Sequence, residues 1–207
     1  MSKRLLQEYS YFEYSVDTIK ESRELHGGKL IVKGVLQRAD TLNQNGRIYP
    51  RPILERELEN YQKLIRENRA LGECDHADSP VVELKHVSHV IRKAWMDGNV
   101  LLGEVEILES QPMGKIIAGL IESGIKVGIS SRALGSVKRV GENNVVQEDL
   151  QLICWDFVSE PSTPGAFMMA EGKVYDDNVL KRVFNKSDRI DRAVNEILSL
   201  NRNKKVL

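Results

Sequence analysis

Cysteine is scarce in this chain: Cys74 and Cys154 are the only two among 207 residues. A disulfide-stapled secreted domain of this size would use more, so a reducing compartment is expected. Long apolar runs are missing as well. None approaches the roughly 18–20 residues that a membrane span needs. Lys3 and Arg4 are not followed by an apolar segment, so no secretory signal is expected. An excess of either charge is absent, since 30 basic residues balance 30 acidic ones. That balance gives no global electrostatic case for nucleic acid or an anionic membrane as partner. Internal repeats and low-complexity tracts are also lacking. Histidine is limited to His26, His76, His86 and His89, which narrows where an imidazole base could come from.

What remains is a composition of 41% hydrophobic and 29% charged residues, ordinary for a globular domain able to bury a core unaided. Residues 1–28 are polar and weakly periodic, and read as a loosely attached arm closed by Gly27-Gly28. A first strand is predicted over 29–37, then a turn-rich loop over 40–47 with Asn43, Asn45 and Gly46. After Pro50 and Pro52, Leu54, Leu58, Tyr61 and Ile65 recur at helical spacing. Stretches 85–95 and 99–108 flank Asp97-Gly98, a strong hairpin signal. Residues 112–123 form the clearest helix, with Met113, Ile116, Ile117, Leu120 and Ile121 on one stripe and Gly124 at the C-cap position. A short strand over 125–130, a β-pair over 135–140 and 145–158, and a C-terminal helix over 179–200 complete the reading. Short strands broken by two conspicuous helices predict a β-rich α+β domain.

Two segments carry chemistry. Gly72-Glu73-Cys74-Asp75-His76 sets a histidine in an acidic, turn-like loop, and Val127-Gly128-Ile129-Ser130-Ser131-Arg132 closes an apolar strand with two hydroxyls and an arginine. A serine hydroxyl becomes a nucleophile when a base takes its proton, and neutral histidine, with a pKa of ~6.5, suits that work. A third group holds the imidazole in its useful tautomer. His76 is the best base, although a solvated surface histidine is an equally ordinary outcome there. Ser130 is the candidate nucleophile, against the commoner role of a hydroxyl ending a strand. Asp156, inside the apolar run Leu152-Ile153-Cys154-Trp155-Asp156-Phe157-Val158, needs a partner to be buried and is the sharpest orienting acid. Glu83 competes with it, and Asp75 is too near His76 in sequence. His86 and His89, three apart on a strand, point to opposite faces, so at most one can face a site. Backbone N–H groups near Ser131 and Arg132, or the turn 162–165, could receive an oxyanion, while Arg132 could instead hold the loop through a carboxylate.

Two other chemistries compete. Cys74 could be the nucleophile, sharing a strand face with His76. Alternatively Cys74, His76, His86 and His89 could hold a metal in a non-catalytic assembly component, although their spacing matches no familiar zinc pattern.

Ordered blocks across about two-thirds of the chain resemble the prohead proteases of myovirus-type tailed phages. They are Asn43-Gln44-Asn45-Gly46-Arg47-Ile48-Tyr49-Pro50, Leu71-Gly72-Glu73 with His76, Gly128-Ile129-Ser130-Ser131-Arg132 with Gly135-Ser136, and Trp155-Asp156-Phe157-Val158 with Pro161, Pro164 and Ala166. The resemblance implies a β-barrel-like antiparallel core surrounded by helices, similar to herpesvirus assemblin. It implies a serine endopeptidase acting inside the assembling prohead in the host cytoplasm, with scaffold or core proteins and the major capsid protein as substrates. His76, Ser130 and Asp156 would form the triad, with no cofactor or metal, and the enzyme could form a homo-oligomer. It further implies cleavage after Glu, with an aliphatic residue two positions before it and a small residue after it. Ile19-Lys20-Glu21-Ser22, Leu120-Ile121-Glu122-Ser123 and Met169-Ala170-Glu171-Gly172 fit that pattern. The helical copy at Glu122 should be protected, whereas Glu21 and Glu171 are expected sites of self-cleavage. The implied organisation is an arm and possible propeptide over 1–28, a protease domain over 29–175, and a helical tail over 176–207. The sequence departs from the family at Ala133, where glycine is usual and a positive φ would strain alanine, and at Cys74 and Ala77 beside the histidine.

Overall fold

A computed structural model of the chain describes residues 4–6, 16–77, 79–159 and 168–170, with the side chains of 4–6, 16–18 and 168–170 outside the description. All of these fall in the first of two compact units, which spans Met1–Lys173. The C-terminal helix expected over 179–200, the turn 162–165 and Glu171 lie outside the described residues.

The elements run β1 (Arg4–Leu6), α1 (Val16–Leu25), β2 (Ile31–Arg38), β3 (Arg47–Ile48), α2 (Arg51–Arg66), β4 (Leu71–Glu73), β5 (Val87–Asp97), β6 (Val100–Ile107), α3 (Pro112–Glu122), β7 (Gly128–Gly135), β8 (Val137–Val140), β9 (Asn143–Val146), β10 (Gln151–Val158) and β11 (Met168–Ala170). Most of the sequence signals act as expected. Asn43 Oδ1 accepts the backbone N–H groups of Asn45 and Arg47, at 2.9 and 2.8 Å, and so closes its own turn. Pro52 stands in the first turn of α2, whose Ile53, Leu54, Leu58 and Tyr61 are buried. Gly98 takes a φ of 56° between β5 and β6. At the end of α3, the N–H of Gly124 bonds to Ile121 O and that of Ile125 to Leu120 O, with Gly124 at φ 73°, which is a Schellman cap.

The strands form three hydrogen-bonded sheets, ordered β1-β7-β10, β11-β2-β6-β5-β4 and β3-β9-β8. Pairing is antiparallel except between β3 and β9. The expected barrel therefore does not close among the described residues. Among the described residues the first two sheets meet through one isolated bridge, Cys74 to Phe157, and no continuous ladder joins them. The core lies beneath them, with Leu30, Val32, Leu36, Leu54, Ile91, Leu101, Ile117, Ile121, Ile129, Trp155 and Phe157 all nearly inaccessible.

Three local expectations are corrected. The arm read over 1–28 contains α1, whose Ile19 is buried and whose Ser22 hydroxyl donates to Ile31 O at 2.6 Å. Arg23 there donates two hydrogen bonds of 2.8 Å to Glu109. The polar pattern hid this attachment because the contacts are themselves polar. On α3, Ile116 is exposed, while Gly114 is buried against Leu108 O, so close that an added Cβ would come within 2.0 Å of it. The strand carrying Ser130 does not end there but runs on to Gly135, since Arg132 finds buried carboxylates on neighbouring strands. Ala133 sits within it, buried and outside the set of positive-φ residues, so the departure from glycine brings no left-handed strain.

Candidate active site

The site is assembled from β4, β7 and β10. On β10 the register slips between Leu152 and Cys154, so that Asp156 stands directly opposite Ser130. Pairing continued from Leu152 without that slip would have put Asp156 opposite Ile129, with its side chain on the other face. Helix α2 fixes this bulged end. Glu57 Oε2 accepts the Leu152 N–H at 2.8 Å, and Tyr61 stands edge-on to Trp155 with ring centroids 4.7 Å apart.

β4 delivers the histidine. Gly72 lies so close to β10 and β5 that a Cβ would come within 2.1 Å of Trp155 O and 2.3 Å of His89 Nε2. The next turn is made by Asp75 at φ 66°, with its N–H bonded to Phe157 O at 2.8 Å. This left-handed residue breaks the strand alternation, so Cys74 and His76 are not the same-face pair that a cysteine nucleophile would require. His76 swings over the face of the β7–β10 pair. Its Nδ1 lies 2.7 Å from Asp156 Oδ2, and its Nε2 lies 2.9 Å from Ser130 Oγ. With Asp156 ionised, Nδ1 donates to the carboxylate and Nε2 accepts the serine hydroxyl. The three sequence candidates thus come together.

Asp156 is wholly buried, yet its environment is built for a carboxylate. Oδ1 accepts the Glu73 N–H at 3.0 Å, Arg132 Nη2 at 3.2 Å and the Cys154 thiol at 3.2 Å. Arg132 Nε stands 2.9 Å from Oδ2, an ionic contact lying off the hydrogen-bond axis. Burial on its own would raise the Asp156 pKa. The His76 hydrogen bond and the Arg132 charge outweigh it, and the net shift is downward. Arg132 is itself buried among acceptors. It also reaches Glu73 Oε2 at 3.0 Å and donates to Ser79 O at 2.9 Å. Glu73, equally buried, accepts the Glu83 N–H on its other oxygen. The suggestion that Arg132 holds a loop through a carboxylate is met by two carboxylates and a carbonyl. Glu73 was missed as a participant, although an acid flanked by glycine and cysteine just before His76 was its signal.

The remaining candidates are placed elsewhere. The Glu83 carboxylate pairs with Lys85 at 2.8 Å on the surface and does not orient His76. Its shift is downward, from the Lys85 hydrogen bond. His86 is half-exposed beside Glu83. His89 is buried under the site, with Nε2 donating to Trp155 O at 3.0 Å, Nδ1 accepting from Ser88 Oγ at 2.8 Å, and its ring edge-on to Phe157. Burial lowers its pKa to about 4, so it is a neutral packing group. Cys74 is pushed up to about 11, by burial first and Asp75 second. Near neutral pH that leaves a thiol where a thiolate would be needed. Among the described residues, no three His, Cys, Asp or Glu side chains converge as a metal site. Nor is any helix among them long and apolar enough to cross a membrane.

A strand-built Ser–His–Asp arrangement on a mixed fold of mostly strands and three helices invites comparison with known proteases. Residues 14–178 match the family model described as prohead core protein serine protease. The prohead core protein protease of Enterobacteria phage T4 is 31% identical over 156 residues, which are 70% of this chain and 74% of that protein. The solved structure of the bacteriophage T4 capsid assembly protease, gp21, aligns with a TM-score of 0.64 at 24% identity, covering 77% of this chain and 99% of that one. At that identity the last likeness speaks to the fold. The chain belongs to the prohead core protein serine protease family, and the resemblance read from the ordered sequence blocks is borne out.

Proposed function

We propose that this chain is a serine endopeptidase of phage head maturation, with Ser130 as nucleophile, His76 as general base and Asp156 as the acid that orients it. One observation carries the reading: the unbroken hydrogen-bonded path Ser130 Oγ, His76 Nε2, His76 Nδ1, Asp156 Oδ2, at 2.9 and 2.7 Å. In the first half-reaction Ser130 Oγ bonds to the scissile carbonyl carbon while its proton passes to His76 Nε2. The C–N bond then breaks, and His76 returns that proton to the leaving amine. A water, deprotonated by His76, hydrolyses the acyl-enzyme. Asp156 stays ionised throughout and stabilises the imidazolium; Arg132 keeps it ionised. Backbone N–H groups beside Ser130, or those of the turn 162–165, are the candidate donors for the oxyanion.

The substrates are core and capsid proteins of the prohead, cut after Glu. This rests on the family and on the aliphatic-x-Glu triplets in the chain itself. Self-cleavage after Glu21 would require α1 to unwind first, since Ser22 is buried and hydrogen-bonded at both Ile31 O and Ile31 N. Glu171 directly follows β11 and is the second self-cleavage site. Co-expression with core and capsid proteins tests the reading. Intact-mass analysis should find cuts after Glu that vanish with Ser130→Ala and persist with Cys74→Ser. Processing that survives Ser130→Ala would reject it.

A further inference from the structure

The three groups of the proposed triad come from two sheets. His76 follows β4, the last strand of the β11-β2-β6-β5-β4 sheet, whereas Ser130 and Asp156 lie on β7 and β10 of the β1-β7-β10 sheet. The 2.9 and 2.7 Å contacts of His76 therefore depend on how far β4 stands from β10. Backbone pairing between those two strands is confined, among the described residues, to the single bridge Cys74–Phe157. One bridge leaves the spacing open to rocking, so a side chain that spans the gap has work to do.

His89 spans it. It lies on β5, directly opposite Gly72 of β4 in the antiparallel ladder, and is wholly buried. Its ring continues past β4, and Nε2 reaches Trp155 O on β10 at 3.0 Å. A carbonyl only accepts, so Nε2 carries the proton, and the neutral ring leaves Nδ1 to accept from Ser88 Oγ at 2.8 Å. A Cβ built on Gly72 would lie 2.3 Å from His89 Nε2 and 2.1 Å from Trp155 O. Those two atoms are the ends of one hydrogen bond. The bond thus runs through the space that a side chain at position 72 would fill, and the glycine lets β5 hold β10 across β4.

This strut meets β10 on both sides of the orienting acid. Trp155, just before Asp156, supplies the carbonyl, and the ring of Phe157, just after it, stands edge-on to His89 with centroids 4.5 Å apart. On β4 the residue that follows Gly72 is Glu73, whose N–H bonds to Asp156 Oδ1 at 3.0 Å. We propose that His89 is a positioning residue for the reaction: its bond to Trp155 O, passing through the gap at Gly72, sets the spacing of β4 and β10 at which His76 joins Ser130 to Asp156. This inference rests on the assignment of those three residues as the triad.

The test compares three substitutions in the full chain, each assayed well below its own melting temperature. His89→Gln keeps an N–H that reaches Trp155 O. His89→Met matches it in length without a donor, and His89→Asn keeps an acceptor for Ser88 but is too short to span the gap. Cleavage of a peptide bearing an aliphatic-x-Glu triplet gives kcat and KM, and proton NMR follows the downfield resonance of the hydrogen shared by His76 Nδ1 and Asp156. His89→Met and His89→Asn should lower kcat about tenfold, as for a misplacement of a fraction of an ångström, with KM unchanged and the resonance moved or lost. His89→Gln should stay within about threefold of the unaltered chain and keep the resonance. Should one of the first two not fold, the other decides against His89→Gln. The same kcat in all folded variants, whether retained or lost, overturns the proposal, and so does a loss confined to KM. Failure of the triad reading shows separately, as cleavage that persists in Ser130→Ala.

Discussion

Ser130 and Asp156 are direct cross-strand partners in the β7–β10 ladder, and their side chains are linked through His76, which arrives from a loop 54 residues before Ser130 in the chain. The proposed triad is thus two strand positions fixed by one register and a third group hung over them. Disturbing the register, the loop or the charge balance beneath should have separable effects.

Ser130→Ala should remove cleavage while leaving the fold intact, since only one hydroxyl is lost. Loss of a triad nucleophile lowers kcat by about 10⁶-fold. Turnover by active-site-titrated protein and thermal melting measured side by side check both halves.

Asp156→Asn should keep the geometry but favour the wrong His76 tautomer, with kcat falling on the order of 10⁴-fold. It also leaves the buried Arg132 with one carboxylate fewer, so the melting temperature should fall too. Asp156→Glu cannot restore activity without moving the ladder.

Arg132→Met should be among the most destabilising single changes. Arg132, Glu73 and Asp156 are all buried, and removing the one cation leaves two carboxylates facing each other. Breaking a buried pair in this way costs about 3–5 kcal/mol. Urea unfolding gives the loss. The double variant Arg132→Met/Glu73→Gln should recover part of it, which distinguishes charge balance from packing.

Gly72→Ala should destabilise by about 1–3 kcal/mol, as overpacking does, because the added methyl meets Trp155 O and His89. β4 must shift to relieve the clash and carries His76 with it, so kcat should fall more than stability alone explains. Activity measured well below the melting temperature separates the two.

His89 sets an acid limit on the fold. Its pKa is lowered to about 4 in the folded protein by burial, against ~6.5 when unfolded. Between those values the unfolded chain binds more protons, so stability falls as pH drops through that window, by about 3 kcal/mol in all. Asp156, shifted downward in the fold, adds a loss only below its unfolded value of ~3.9. Unfolding free energies at pH 7 and pH 4.5 should therefore differ, and His89→Gln should flatten the difference while lowering stability at pH 7.

Much of this was legible in the chain itself. The turn at Asn43, the helix after Pro52, the hairpin at Gly98 and the cap at Gly124 follow from local rules, because each is satisfied within a few residues of its signal. His76, Ser130 and Asp156 could be named from residue chemistry, since an acid in an apolar strand demands a partner and four histidines leave few choices. Where Ser130's strand stops could not, because the charge of Arg132 is accommodated by groups 24 to 59 positions away in the sequence. The attachment of α1 was hidden for the same reason: Arg23 is secured by Glu109 and Glu122, far along the chain.

The sequence by itself determined the kinds of group available for catalysis, the main secondary elements and the family. Tertiary structure decided which groups meet. The bulge in β10 set Asp156 opposite Ser130, the left-handed Asp75 swung His76 over them, and Arg132 came to rest between Glu73 and Asp156. Each is a matter of register or long-range charge pairing, and such terms depend on distances between strands that no local pattern of residues encodes.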